Sequence, residues 1–251
     1  MSATDPKTAL ITGAAGGIGR VLVEVFDAAG FQTIAIDNTP RPDDLACTHY
    51  LCADLARLVG DEVYADEMVA AIRQALQGNG LHALLNNAAV QVLGGTDRLS
   101  RNDWRITLDV NLLAPFFLTQ ALLPELAAAK GSVVNIGSIH SRLTKKGFVA
   151  YATSKAALAG MTRALAVDLG PRIRVNAIEP AAVETEMLKA GFSMKPGLYD
   201  QLKSFHPQQR IGHPGEVARL ALAMVNGGMD FLHGACVALD GGIGSCLHDP
   251  D

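Results

Sequence analysis

The chain has 251 residues, 49% hydrophobic and 18% charged, which excludes an intrinsically disordered protein. A formal net charge of −4, with Lys145-Lys146 as the densest basic pair, excludes nucleic acid as the main partner, because phosphate binding needs a concentrated basic field. The best membrane candidate, Leu112 to Ala129, is interrupted by Pro115, Gln120, Pro124 and Glu125 and does not make the roughly 18 uninterrupted apolar residues of a spanning helix, so no membrane partner is expected.

Asp5, Pro6 and Lys7 precede a short apolar run, which gives no secretory signal pattern. Lys7 to Thr12 reads as a buried strand. Ile18 to Ala29 shows the apolar spacing of a helix and stops at Gly30. Phe31 to Ile36, rich in β-branched residues and closed by Asp37, reads as a second strand. His49 to Cys52 is a further short strand candidate. Asp61 to Leu76 is helix-like, His82 to Leu85 strand-like, and Arg101 to Ala129 a long helix. Ser132 to Ile136, Ile173 to Ile178 and Ala235 to Leu239 are strand-like, whereas Tyr151 to Leu169 and Gly215 to Val225 are helix-like. Strand and helix alternate throughout, and several strands are apolar without alternation, as expected when both faces of a parallel sheet are covered. No linker or internal repeat divides the chain, so residues 1–251 are expected to form a single dinucleotide-binding domain of the doubly wound Rossmann type with about seven strands. Glu184 to Pro214 stands apart. It mixes Met187, Leu188, Phe192, Met194, Tyr199 and Phe205 with Gly191, Pro196, Gly197 and Pro207, as a substrate lid would. The four cysteines, Cys47, Cys52, Cys236 and Cys246, have neither C-x-x-C nor zinc-finger spacing, so no metal site, reduced thiols and a cytoplasmic location are expected.

Thr12-Gly13-Ala14-Ala15-Gly16-Gly17-Ile18-Gly19 joins the first strand to the first helix. Glycines there permit a sharp turn and a close approach of backbone to a pyrophosphate, and the free helix N-terminus favours an anion. A glycine-rich turn alone is weak evidence, but this one follows a strand and opens a helix. Asp37, at the end of the second strand, can accept hydrogen bonds from adenosine ribose hydroxyls and would repel the 2′-phosphate of NADP. Asn38, Thr39 and Pro40 offer no immediate cation, although Arg41 is near, so NAD is the expected cofactor.

Tyr151 and Lys155 are four residues apart on a predicted helix and therefore share a face. A phenol with a pKa of about 10 is a poor acid–base group at neutral pH, and a neighbouring ammonium favours the phenolate.

With these residues in place, the chain resembles the short-chain dehydrogenase/reductase family from Lys7 to about Ile243. Thr12-Gly13-x-x-x-Gly17-x-Gly19 is similar to the family's cofactor turn, and Asp54-Leu55 to the acidic position that contacts adenine. Asn86-Asn87-Ala88-Ala89 resembles its Asn-Asn-Ala-Gly segment. Asn111 aligns with its helix asparagine, Ser138 with its serine, and Tyr151 with Lys155 completes the set. The thirteen positions from Ser138 to Tyr151 match the family spacing. The resemblance implies catalytic roles for four residues. Ser138 would orient the substrate oxygen, Tyr151 would exchange the proton, and Lys155 would lower the Tyr151 pKa and hold the nicotinamide ribose. Asn111 would hold a water that links Lys155 to solvent. It also implies cofactor contacts from Gly13, Gly16, Gly17, Ile18, Gly19, Asp37, Asp54, Leu55, Asn87, Ala88, Ala89, Tyr151, Lys155, Pro180, Val183 and Thr185, with Ile136 and Gly137 as neighbours. Two residues depart from the pattern: Ala89 and Ala181 stand where glycines are usual. Glu179 is also unusual before Pro180, and is either solvated or structurally paired, or faces the substrate.

The implied activity is hydride transfer between NAD and a secondary alcohol or ketone. Two alternatives remain, a 3-oxoacyl thioester reductase of the acyl-carrier type, suggested by Gln209-Arg210-Ile211-Gly212, and a non-catalytic dinucleotide-binding protein. A small-molecule alcohol or carbonyl substrate is the expected partner. A homo-oligomer, dimer or tetramer, is expected through the helices of Arg101 to Ala129 and Tyr151 to Leu169. His140, Ser141 and Thr144 are secondary site candidates. His206 and Met187 are candidate specificity residues in the lid.

Overall fold

Strand β1 (Thr8–Thr12) is buried along its whole length, with Leu10 facing one side of the sheet and Ile11 the other. A computed structural model describes residues 6–186, 188–189 and 196–247. From β1 the chain runs through α1 (Gly17–Ala28), β2 (Gln32–Asp37), β3 (His49–Cys52), α2 (Leu55–Gly60), α3 (Glu62–Leu76) and β4 (Ala83–Asn86). It then passes through α4 (Arg101–Leu108), a π-helical turn (Asp109–Leu113), α5 (Ala114–Ala121), α6 (Leu123–Ala128) and β5 (Ser132–Ile136). A 3₁₀ turn (Ile139–Ser141), α7 (Val149–Leu169), β6 (Arg174–Pro180), α8 (Pro196–Ser204), α9 (Pro214–Val225), β7 (Cys236–Leu239) and a last 3₁₀ turn (Ile243–Ser245) follow.

The seven strands form one parallel sheet in the order β3-β2-β1-β4-β5-β6-β7. Apolar stripes cover both faces. Met68, Val69 and Ile72 of α3, Leu118 of α5 and Leu165 and Leu169 of α7 pack on Leu10, Ile34, Leu84 and Val133. Leu22, Val23 and Phe26 of α1 and Val217 and Ala221 of α9 pack on Ala9, Ile11, Leu85 and Ile178. The fold class and the strand count match the sequence expectation.

The helix expected over Arg101 to Ala129 is not continuous. Pro115 and Pro124 each sit in the first turn of a new helix, where the missing N–H is harmless, and so restart the chain as α5 and α6. Between α4 and α5 the backbone widens into the π turn that carries Asn111.

The order reverses at β1, whose neighbours are β2 on one side and β4 on the other. Ligands of doubly wound sheets bind beyond the carboxyl ends of the strands at this reversal. Both the glycine turn after β1 and the Asn87-Ala88-Ala89 segment after β4 emerge there.

Candidate active site

The turn after β1 is shaped by its contacts with the segment after β4. The Thr12 hydroxyl oxygen accepts the N–H groups of Asn87 and Ala88, each at 3.0 Å. The Asn87 side-chain amide donates to the carbonyls of Thr12 and Gly13, each at 3.0 Å. Gly13 has φ +64, and a Cβ there would lie 2.8 Å from Ala88 Cα. A Cβ on Gly19 would lie 1.8 Å from the Gly13 carbonyl oxygen, so only glycine lets the helix begin this close to the strand. Gly16 is the N-cap of α1, with no side-chain cap and no atom within 4 Å of where its Cβ would stand. Thr185 reaches over the same end, its Cγ2 3.3 Å from a notional Cβ on Gly17. Open space above uncapped helical N–H groups fits a dinucleotide pyrophosphate. Ile18 and Gly17 belong to the first turn of that helix.

An open cleft of about 500 Å³ continues from the turn, lined by Gly13, Asp37, Asn38, Ala53, Asp54, Leu55, Ala88, Ala89, Val90 and Val110. Asp37 is held at its mouth. Its Oδ2 accepts the Ala15 N–H at 2.9 Å and its Oδ1 accepts the Thr39 N–H and hydroxyl at 3.1 and 3.0 Å. Arg41 turns away, donating to the carbonyls of Leu45 and Cys47. Asp54 Oδ1 caps α2 through the Ala56 and Arg57 N–H groups. Ala53, Val90 and Val110 lack a polar signature, so only their place beside Asp54 and Ala89 in space reveals them.

The second group of residues gathers around the end of β5 and the start of α7. A buried polar chain docks the helix: Asn86 donates to Asn135 at 2.8 Å, and Asn135 to Thr162 of α7 at 2.9 Å. Lys155 is buried and donates to the Ile136 carbonyl at 2.8 Å. Its Nζ lies 5.8 Å from the Tyr151 ring centroid, on the shared helix face that the spacing predicts. Ser138 is buried, accepts the His140 N–H at 3.1 Å, and acts on the Tyr151 phenol by lowering its pKa. Asn111 is also buried, and its side chain is fully engaged. Its Nδ2 donates to the Val90 carbonyl at 2.9 Å and to Ser154 Oγ at 3.0 Å, while its Oδ1 accepts the Val90 N–H at 2.8 Å. Asn111 thus ties the cleft wall to the helix of Tyr151. Val90 and Ser154 were not legible as its partners, because all three bonds cross the fold.

The electrostatics differ from the expectation that Lys155 lowers the Tyr151 pKa. In the chain by itself, burial pushes the Tyr151 phenol above its ordinary value, and the hydrogen bond with Ser138 draws it part of the way back. Burial also brings the Lys155 ammonium down to about 8. His140 stacks on Phe148, with centroids 4.4 Å apart and planes 3° apart, and presents its edge toward Tyr151 at 5.7 Å. Burial, reinforced by the Lys145 charge, brings the imidazole down to about 4. Phe148, three residues before the tyrosine, is a wall residue that the spacing did not single out.

Glu179 is structurally paired. It is buried, accepting from the Ser141 hydroxyl at 2.6 Å and from Arg142 Nε at 3.2 Å. Thr144 Oγ1 lies 3.0 Å from His140 Nδ1 and the Ser141 hydroxyl is bonded to Glu179, so both alternative hydroxyls are engaged away from Tyr151. Pro180 and Val183 are buried at the end of β6 and just beyond it. His206 is buried, with Nδ1 2.9 Å from the Leu202 carbonyl. Met187, Gly191, Phe192 and Met194 lie outside the described residues. All four cysteines are free, and no metal-binding cluster occurs among the described residues. No helix of the described residues is long and apolar enough to cross a membrane.

The chain is similar to known proteins over nearly its whole length. A family model described as enoyl-(acyl carrier protein) reductase matches residues 13–244. Protein FixR of Bradyrhizobium diazoefficiens is 37% identical, over 95% of this chain and 87% of that protein. The NAD-dependent glycerol dehydrogenase of Listeria innocua is 32% identical, over 94% and 93% of the two chains. The ligand-free aldohexose dehydrogenase of Thermoplasma acidophilum superposes with a TM-score of 0.88 at 28% identity, covering 98% of this chain and 97% of that one.

Proposed function

The chain belongs to the short-chain dehydrogenase/reductase family, and from that premise we propose that it is an NAD-dependent dehydrogenase interconverting a secondary alcohol and its ketone, with small polyols as the substrate class. One observation carries the reading: Ser138, Tyr151 and Lys155 converge at the end of β5, on the same carboxyl edge of the sheet as the Gly13–Gly19 cradle. The polyol class is taken from relatives named for glycerol, galactitol and D-threitol.

When bound, the dinucleotide supplies the hydride acceptor. The chain's own residues do the rest. Gly13, Gly16, Gly17, Ile18 and Gly19 hold the pyrophosphate, and Asp37, Asp54, Leu55, Asn87, Ala88 and Ala89 hold the adenosine side. Pro180, Val183 and Thr185 flank the nicotinamide side. Ser138 donates to the substrate oxygen. Tyr151 Oη takes the hydroxyl proton during oxidation and returns it during reduction. With the dinucleotide beside it, the Lys155 ammonium would hold the nicotinamide ribose and favour the phenolate, as it does not in the chain by itself. Residues 184–214 serve as a lid whose base is tied by the Glu184 N–H to the Gly212 carbonyl at 2.8 Å and by the Gly212 N–H to the Ala182 carbonyl at 2.9 Å. NAD is preferred because Asp37 guards the ribose and Arg41 is bonded elsewhere. That preference, with the four-residue catalytic set, weighs against an NADPH-linked 3-oxoacyl thioester reductase and against a non-catalytic scaffold. The four free cysteines suit a reducing, cytoplasmic setting, and a homotetramer is the assembly we propose.

The test is Tyr151→Phe. Turnover of glycerol, threitol-like and hexitol substrates with NAD should disappear while NADH binding, followed by its fluorescence, persists. Normal turnover by that variant, or NADP binding as tight as NAD in a direct titration, would overturn the proposal.

A further inference from the structure

Among the described residues, Glu179 is the only buried acidic one, 2% exposed at the end of β6. A carboxylate in such a place is tolerated only when its oxygens are matched by donors. Both donors come from a single short segment: Ser141 on Oε1 and Arg142 on Oε2. The same side chain leaves no room for a side chain at the segment's other end, since a Cβ on Gly137 would lie 3.2 Å from Glu179 Cγ. Glu179 therefore bonds the chain three and four residues after Ser138 and stands beside it immediately before. Between these positions, Ser138 is the extended N-cap of the 3₁₀ turn, and its oxygen accepts the His140 N–H.

We infer that Glu179 is a positioning residue which, through Ser141 and Arg142, holds the Ser138–Ser141 turn so that the Ser138 hydroxyl meets the Tyr151 phenol. A smaller residue at this position would leave Ser141 without its acceptor. Arg142, half exposed, would swing into solvent, and the turn would relax away from α7. The consequence for substrate rests on the dehydrogenase reading above. The consequence for Tyr151 does not.

The experiment compares wild type with Glu179→Ala, Glu179→Gln and Ser141→Ala in the full chain, with ¹³Cζ-tyrosine labelling. There are four tyrosines, and the Tyr151 resonance is assigned with Tyr151→Phe. Lys155 and His140 also face Tyr151, so all variants keep them. In Glu179→Ala and Ser141→Ala the Tyr151 signal should shift and its alkaline titration should begin later, while Tyr50, Tyr64 and Tyr199 hold their positions. Glu179→Gln keeps one acceptor oxygen and should recover part of the shift. With a polyol and NAD, kcat of Glu179→Ala should fall on the order of 10²-fold, as for a mispositioned reacting group, with an unchanged NADH dissociation constant. A Tyr151 signal and titration that do not move in folded variants would overturn the inference; if Glu179→Ala does not fold, Ser141→Ala and Glu179→Gln decide it. Loss of the Tyr151 signature in the variants of a chain that oxidises no alcohol would sink the dehydrogenase reading and leave the positioning role standing.

Discussion

Burial holds Lys155 at about 8 in the folded chain, against about 10.4 for an unfolded lysine. Below about pH 8 both states bind the proton, and the native state carries the full desolvation penalty of about 3 kcal/mol. As pH rises from about 8 to about 10, the unfolded chain binds more protons than the folded one, so stability rises and the penalty fades. Lys155→Met removes the charge and also strands the Ile136 carbonyl, which returns about 1 kcal/mol of the gain. Urea unfolding at neutral pH should therefore find the inactive Lys155→Met variant about 1–2 kcal/mol more stable than wild type, with the gap closing by about pH 10. His140 works on the acid side. Its folded pKa is lowered to about 4, so its contribution is complete above the unfolded value of about 6.5 and is lost as pH falls toward 4. Thermal unfolding of wild type should fall more steeply over that interval than that of His140→Gln. The Tyr151–Lys155 pair was legible because one helix sets its geometry. The rise in the Tyr151 pKa was not, because burial depends on residues 138, 140 and 148 arriving from outside the helix.

The elements show the same division. Glycine spacing announced the β1–α1 turn, but only the packed structure separates its glycines by what surrounds them. Gly19→Ala would drive a methyl into the Gly13 carbonyl, and the displacement should cost about 3 kcal/mol or more in denaturant unfolding. Gly16→Ala meets no atom of the chain within 4 Å and should change unfolding by less than about 1 kcal/mol, the scale of an N-cap change. Because its methyl enters the open space above α1, that variant should still weaken NADH binding. Equal destabilisation by the two substitutions would contradict this account of the cradle. The break between α4 and α5 was not legible as a site feature. Pro115 marks a boundary, yet the π turn before it is stabilised by Asn111 reaching Val90 and Ser154, bonds that span 21 and 43 positions.

At the scale of the molecule, the alternation of elements was enough to read a parallel doubly wound sheet, and the reversal at β1 is where ligands of such sheets generally bind. The proposed assembly would use what this sheet leaves uncovered. Phe117 of α5 and Val149 and Val167 of α7 remain exposed, Val167 to 86%, although the opposite sides of these helices are buried on the sheet. β7 is an edge strand, and Phe231, fully exposed, lies in the turn leading to it. An unpaired edge beside an exposed phenylalanine is a surface that soluble proteins cover. Two separate faces, one on α5 and α7 and one at β7, are the surfaces that the proposed tetramer, a pair of dimers, would use. Analytical ultracentrifugation should find wild type as a tetramer at micromolar concentration. Phe231→Asp should reduce it to a dimer and Val167→Arg should break the other contact. Neither position touches the sheet core, so both variants should retain the wild-type circular dichroism spectrum. A wild-type monomer in that measurement would remove the need for either face.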